Sequence, residues 1–230
     1  MKKKMSHSFD RLIKVIGKDN FNTLSNKKVL VLGCGGVGGF VIEALVRSGI
    51  GSIVLIDSDK IEESNLNRQI VTDINNIGET KVDAWKKRIL DINPECQVEV
   101  INSFIDNSNI ESVFSDDIDY YIDTEDTVKT KEIFIEECLK RKVKFIVCTG
   151  TGNRLDPSKL EIKDIRKTSY DPLARIIRKY VNDNKIRGKI NVLCSNEKPV
   201  KTEGEVGSTI FVPAAAGLMI ASFVLKDLIK

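Results

Sequence analysis

The sequence contains no pair of cysteines spaced C-x-x-C. Its five cysteines, at 34, 96, 138, 148 and 194, are odd in number and far apart. That pattern indicates neither a zinc ribbon nor a thioredoxin-like redox motif, and reduced intracellular thiols are the simplest expectation. There is one histidine, His7, in an unpatterned N-terminus where solvation and no functional role are expected. The start, MKKKMSHSFDRL, is basic but lacks an apolar core, so no secretory signal is expected. No apolar run reaches the ~20 residues needed to span a bilayer. The longest, FVPAAAGLMIASFVL (Phe211 to Leu225), contains Pro213 and Gly217 and reads as a buried C-terminal helix rather than a stable membrane insertion. Repeats, low-complexity tracts and linkers are missing too. With 41% hydrophobic and 30% charged residues the composition is that of an ordinary soluble, here cytoplasmic, globular protein.

What is present is enough for one full α/β domain, residues 1–230, burying roughly 70% or more of its unfolded surface. Apolar strands at 29–33, 52–57, 97–101, 120–123 and 144–150 alternate with helical stretches at 37–48, 80–92 and 128–142, and a short helix is expected between the third and fourth strands. This rhythm predicts a Rossmann-like, doubly wound, mostly parallel sheet with right-handed crossovers. Beyond Gly152 it loosens into LEIKDI and KINVLC as strands around a helix from Asp171 to Asn182, followed by the apolar helix. We divide the domain into a nucleotide-binding core (1–150) and a substrate-facing C-terminal portion (151–230). In such sheets ligands sit beyond the carboxyl ends of the strands.

The run VLVLGCGGVGGF places Gly33, Gly35 and Gly38 in a G-x-G-x-x-G turn between a strand and a helix, a place where backbone N–H groups and the helix dipole attract phosphate. Asp57 ends the next strand, 19 residues after Gly38, where a carboxylate can accept from ribose hydroxyls. Both features suit a nicotinamide dinucleotide as well as ATP. The loop DSDKIEESNLNRQ adds Asn65, Arg68 and Gln69, and Lys81 opens the next helix. Two cations beside a nucleotide pocket are costly unless they meet negative charge, which a triphosphate supplies. Asp126, after the strand YYID, is a carboxylate of the kind that holds magnesium. Each residue has a plainer alternative: Arg68 pairing with Glu62, or Asp126 capping the helix that starts at Thr127. Trp85, at helical spacing, reads as core. Cys194, at a strand end before a charged loop, reads as inert, with a thiol relay as the alternative.

GCGGVGG, Asp57, SNLNRQ, Lys81 and the D-x-x-D at Asp123–Asp126 together resemble the ATP-adenylating fold shared by ubiquitin-activating enzymes and the bacterial ThiF and MoeB proteins. The resemblance implies that Gly36 lies against the phosphates, that Asp57 holds the ribose, that Asn65, Arg68 and Lys81 contact phosphates, and that Asp126 binds magnesium. It also implies a homodimer in which an N-terminal arginine, Arg11 here, reaches the partner's γ-phosphate. An arginine common three residues earlier is Ser8, and an Asn usual after the last Asp is Thr127.

The two C-x-x-C pairs typical of ThiF- and MoeB-like activators of carrier proteins are missing. DRLIKVIG, DINPE, CTGTGNRLDPSKLEIKDIRKTSYDPLAR and GSTIFVPAAAGLMIASFVLKDLI resemble instead the tRNA threonylcarbamoyladenosine dehydratase branch, over nearly the whole chain. That branch implies a ligase-type enzyme. ATP adenylates the threonyl carboxylate of the modified adenosine beside the anticodon, and an internal nucleophile then closes a ring and expels AMP. It leaves open a sulfur-transfer (cysteine desulfurase) partner. Net charge is +3, yet residues 159–198 hold eleven Lys/Arg against five Asp/Glu, a basic segment on a slightly acidic body. Arg166, Lys167, Arg175, Arg178 and Lys179 are the candidate tRNA face; on charge alone each is equally a solvated helix position. Adenylation of the C-terminal glycine of a ubiquitin-like or sulfur-carrier protein is the first alternative. An NAD-binding redox protein or nucleotide sensor is the second.

Overall fold

A computed structural model describes residues 7–230. The expectation about a leader, and the first six residues of the domain, fall outside the described residues. Two short helices come first, α1 (Asp10–Ile16) and α2 (Lys18–Leu24), which the hydrophobic pattern did not announce. Neither has an amphipathic stripe wide enough to declare itself: α1 buries no residue and α2 only Leu24. They turn about Gly17, at φ +84°, and meet through the rings of Phe9 and Phe21, 5.2 Å apart.

The strands are β1 (Lys28–Leu32), β2 (Ser52–Ile56), β3 (Gln97–Ile101), β4 (Tyr120–Asp123), β5 (Phe145–Cys148), β6 (Leu160–Asp164) and β7 (Asn191–Ser195). They form one sheet in the order β3-β2-β1-β4-β5-β7-β6, parallel except for β6 against β7. The chain winds outward from β1 to β3 and then restarts at β4 on the other side of β1. The strand order therefore reverses between β1 and β4, where Leu32 lies opposite Asp123. Crossovers on both sides leave a crevice there, beyond the carboxyl ends.

Period-two alternation sends Val29 and Val31 of β1 to one face and Leu30 and Leu32 to the other. The first face is covered by α3 (Gly38–Arg47), α4 (Lys81–Ile92) and α7 (Phe211–Leu228), the second by α5 (Val128–Arg141) and α6 (Pro172–Asp183). A one-turn helix, Ile110–Val113, is the short helix expected between β3 and β4. Among the described residues α7 alone is long and apolar enough to cross a membrane, with mean hydropathy 1.6. Here it packs along α3 as the first face's cover. A Cβ on Gly217 would sit 2.4 Å from the Val37 carbonyl oxygen, so glycine is what lets the two helices meet. Trp85 is fully buried in the same face, as its spacing suggested.

Candidate active site

The glycines of the turn divide by cause. Gly33 has φ +84°, and a Cβ there would meet the Glu125 amide nitrogen at 2.8 Å; one on Gly38 would lie 1.8 Å from the Gly33 carbonyl oxygen. These two glycines are needed to pack the turn against β4. Gly35 and Gly36 are not. A Cβ on either would touch only side-chain atoms of Gln69, Arg68 and Pro213, at 3.5 Å or beyond. Their bareness leaves a cradle over which a ligand can approach the backbone. The Trp85 indole donates to the Cys34 carbonyl (3.1 Å), and the Thr124 hydroxyl donates to that of Gly33 (2.6 Å). The turn is thus pinned from α4 and from β4.

Asp57 is buried and accepts from the amides of Cys34 (2.7 Å) and Asp59 (2.8 Å), one per carboxylate oxygen. Each oxygen keeps acceptor capacity for a ribose hydroxyl. Asn65 is buried, its Oδ1 accepting from the Glu62 amide (3.2 Å) while Glu62 caps the one-turn helix Glu63–Asn65. Glu62 is therefore occupied, and the Arg68 guanidinium donates instead to Ser64 O (2.7 Å) and Asn67 Oδ1 (2.9 Å), its stem lying over Gly36. Gln69 is buried beside Gly35 with its Oε1 lacking any hydrogen-bond partner. That orphaned acceptor suits an amino or hydroxyl group brought in by a ligand. Lys81 corrects one argument from sequence: it does meet negative charge within the chain, Asp59 at 2.7 Å. Asp59 is 64% exposed, so the pair is screened, and the buried ammonium stays next to the turn.

On the β4 side the acids grade from buried to open. Asp123 and Lys131 form a wholly buried pair at 3.0 Å. Burial pushes the Asp123 carboxyl up while Lys131 pulls it down, and burial prevails. Glu125, half-buried, is pushed up to about 7 by burial and then by Asp123, Asp57 and Asp126. Asp126 is exposed and makes no hydrogen bond or ion pair among the described residues. It does not cap α5, whose N-cap is Thr127 without a side-chain cap bond. An open, unpartnered carboxylate in the segment after β4 is the kind of group that could hold magnesium, since that ion is usually held by one or two carboxylates plus substrate phosphates. Among the described residues no group of three or more His, Cys, Asp or Glu could hold a metal without such help.

Sequence reasoning missed three parts of this end of the sheet. Thr124 and Glu125 lie inside the D-x-x-D spacing, which signals only its ends. The third is a buried knot after β5: the Thr149 hydroxyl donates to Asp171 Oδ2 (2.6 Å), Asp171 Oδ1 caps α6 through the Ala174 amide (3.0 Å), and Arg154 lies 3.9 Å from the same carboxylate. The Asp-Pro at the start of α6 was its one legible signal.

Arg11 is exposed on α1, and its side chain has no partner among the described residues. The five candidate tRNA residues separate. Arg166 bonds Asp164 and the carbonyls of Gly188 and Ile186, Arg178 bonds Thr168, and Lys179 pairs with Asp183. Lys167 and Arg175 are exposed and unpartnered among the described residues. His7 is exposed beside Asp10. Cys194 is buried and burial pushes its thiol up to about 11, which leaves almost no thiolate for a relay.

A glycine turn at the switch point, flanked by cations and an open carboxylate, defines a nucleotide-binding α/β protein built for a polyanionic ligand. The chain belongs to the ThiF family, which matches residues 9–227. It is 39% identical to the tRNA threonylcarbamoyladenosine dehydratase of Bacillus subtilis, over 98% of this chain and 96% of that one. Its fold superposes on the crystal structure of the Escherichia coli tRNA N6-threonylcarbamoyladenosine dehydratase in complex with ATP, with a TM-score of 0.93, 31% identity, and 99% and 96% of the two chains covered. A probable molybdopterin-synthase adenylyltransferase of Porphyra purpurea, 36% identical, aligns with 56% of this chain and 32% of its own.

Proposed function

We propose that this chain is an ATP-dependent tRNA threonylcarbamoyladenosine dehydratase. The observation that carries the reading is the span of the likeness: the dehydratases align with both halves of the chain, the carrier-protein adenylyltransferase with little more than one. ATP as substrate fits the bare Gly35 and Gly36, with Asp57 holding the ribose and Gln69 supplying its unpaired acceptor. Arg68 and Lys81, with Asn65, hold the phosphates. Asp126 would hold magnesium, which would supply positive charge against the departing pyrophosphate.

The threonyl carboxylate attacks the α-phosphorus, a new carboxyl–phosphorus bond forms, and pyrophosphate leaves. Preorganised cations stabilise charge where it develops, the effect that dominates phosphoryl and nucleotidyl transfer. A nitrogen or oxygen of the same threonylcarbamoyl group then attacks the activated carbonyl and expels AMP. The oxygen lost from the substrate departs in AMP, so the nucleoside is lighter by one water. No cysteine is needed, because a tethered nucleophile gains about 7 kcal/mol or more from proximity when aligned. The reaction takes place in the cytoplasm. Residues 1–150 form the nucleotide core and 151–230 the tRNA-facing portion of a single domain.

A homodimer in which Arg11 serves the partner's cradle accounts for an unpartnered arginine on a helix with no buried residue. Arg11→Ala and Asp126→Ala proteins, each inactive, should regain activity when mixed; failure to complement would place Arg11 in its own subunit's site. The reading as a whole is tested by product stoichiometry. AMP and pyrophosphate should appear in equal amounts only when tRNA carrying the modified adenosine is supplied. Release driven instead by a small protein ending in Gly-Gly would assign the chain to carrier activation.

A further inference from the structure

Helix α6 starts at the catalytic end of the sheet, where the Thr149 hydroxyl reaches Asp171 at 2.6 Å. Twelve residues at about 1.5 Å each carry it about 18 Å toward the opposite end, where β7 begins at Asn191. Along this path Arg175 is exposed, and at its far end the loop 184–190 exposes Lys185, Arg187 and Lys189 at every second position. The side chains of these four make no hydrogen bond or ion pair among the described residues. The carboxylates nearby are already engaged: Asp164 by Arg166, Asp183 by Lys179, and Glu136 by the Tyr180 hydroxyl.

The loop is held in shape. The Arg166 guanidinium donates to the carbonyls of Ile186 (2.8 Å) and Gly188 (3.0 Å) while pairing with Asp164, and Asp164 in turn accepts from the Ile190 amide (3.2 Å). Gly188, at φ +113°, packs against Leu139 so closely that a Cβ would fall 2.7 Å from its Cδ2. A braced loop presenting three neighbouring cations with no counter-charge creates a local positive field, which favours a polyanion that supplies the missing charge.

We propose that the outer side of α6 and the loop 184–190 form a phosphate track for the stem of the RNA whose loop adenosine enters the site. The proposal rests on the tRNA reading above and extends it. Duplex RNA is bound mainly through its backbone and shape, which a rigid row of cations suits. Arg175 meets the stem near the reacting loop, and Lys185, Arg187 and Lys189 meet phosphates farther along it. Arg166 is a positioning residue for the loop, and Arg178, spent on Thr168, holds the start of α6. Two of the five arginines and lysines singled out from sequence thus brace the surface, and three that were not singled out contact the RNA.

The test is equilibrium binding of tRNA to the full-length protein across salt concentrations, for the wild type, the triple variant K185E/R187E/K189E and R175E, with melting temperature as the control for folding. The triple variant should bind on the order of tenfold or more weakly, and the salt slope should fall by about 2–3 as three phosphate contacts are lost. KM for tRNA should rise while kcat stays close to that of the wild type. R166A should lose part of the same binding energy. Equal affinity and slope in the triple variant, with a wild type that binds and dehydrates tRNA, would overturn the track alone. A wild type that neither binds nor dehydrates tRNA would overturn the reading it rests on. Loss of binding to phosphatidylserine vesicles, with tRNA binding intact, would reassign the cations to a membrane surface.

Discussion

The carboxyl ends of β1 and β4 and the carboxyl ends of β5 and β7 are neighbours in one sheet and are built on opposite principles. At β1 and β4 the polar groups are arranged around open space: Gly35 and Gly36 lack any packing reason, Gln69 keeps an unpaired oxygen, and Asp126 faces solvent without a partner. At β5 and β7 most groups answer one another, Arg154 Nη2 being left without a hydrogen-bond partner. Thr149, Asp171 and Arg154 form a buried knot, the Glu197 carboxylate accepts from the Leu155 and Asp156 amides, and Asn153 is tied to Thr202 and Gly207. The loop 196–209 is thereby stitched to the segment 149–156, and Asn67 reaches across to the Ser208 carbonyl at 3.0 Å. One side waits for a ligand; the other supplies the frame. The two ends thus differ in what is left unpaired: Gln69 Oε1 and the Asp126 carboxylate at β1 and β4 have no partner among the described residues.

That contrast can be broken from either side. The largest effect on folding belongs to the wholly buried Lys131–Asp123 pair. Lys131→Met leaves a buried carboxylate uncompensated and should cost about 3–5 kcal/mol in urea unfolding, with much of it recovered on adding Asp123→Asn. Asp126→Ala should do the reverse. Its melting temperature should match the wild type, while pyrophosphate release falls by about 10²–10³-fold or more. Wild-type release from that variant would remove Asp126 from the site. Smaller effects separate the glycines. Gly38→Ala should destabilise by about 1–3 kcal/mol through overpacking, while Gly35→Ala should fold normally and lose protection by ATP in a thermal shift. Equal behaviour of the two would deny that the cradle is open for a ligand.

The smallest effect is on pH dependence. Glu125 titrates at about 7 in the folded chain, against an ordinary 4.5. Between those values this carboxyl binds more protons in the native state than in the unfolded one, so its own contribution to stability is greatest at acid pH and declines as pH rises to about 7, then levels. Glu125→Gln should flatten the decline, seen as melting temperatures of the ligand-free protein that no longer drop between pH 5 and pH 8.

The parallel sheet was legible because its strands are short apolar runs feeding glycine or acid: VLVLG, SIVLID and YYID declare both a buried strand and the functional end of it. All seven strands overlap the expected stretches, β1 starting one residue earlier and β7 ending one residue later. The cradle was legible for the same reason, since G-x-G-x-x-G and the acid 19 residues on are local patterns. Helices α1 and α2 were not, because they bury one residue between them and so carry no periodic stripe. Nor was the division of labour among the basic residues. Arg166 and Lys167 are adjacent and chemically alike, and only the fold shows that one grips Ile186 and Gly188 while the other is free. Which cation braces and which is displayed depends on carbonyls some twenty residues away.

Whether the cradle between β1 and β4 activates a tRNA-borne carboxylate is decided by weighing the nucleosides of tRNA treated with the protein, ATP and magnesium. A threonylcarbamoyladenosine lighter by one water should form in step with AMP and be absent with Asp126→Ala. An unchanged nucleoside in the presence of wild-type protein that binds ATP and releases AMP on another acceptor would contradict it.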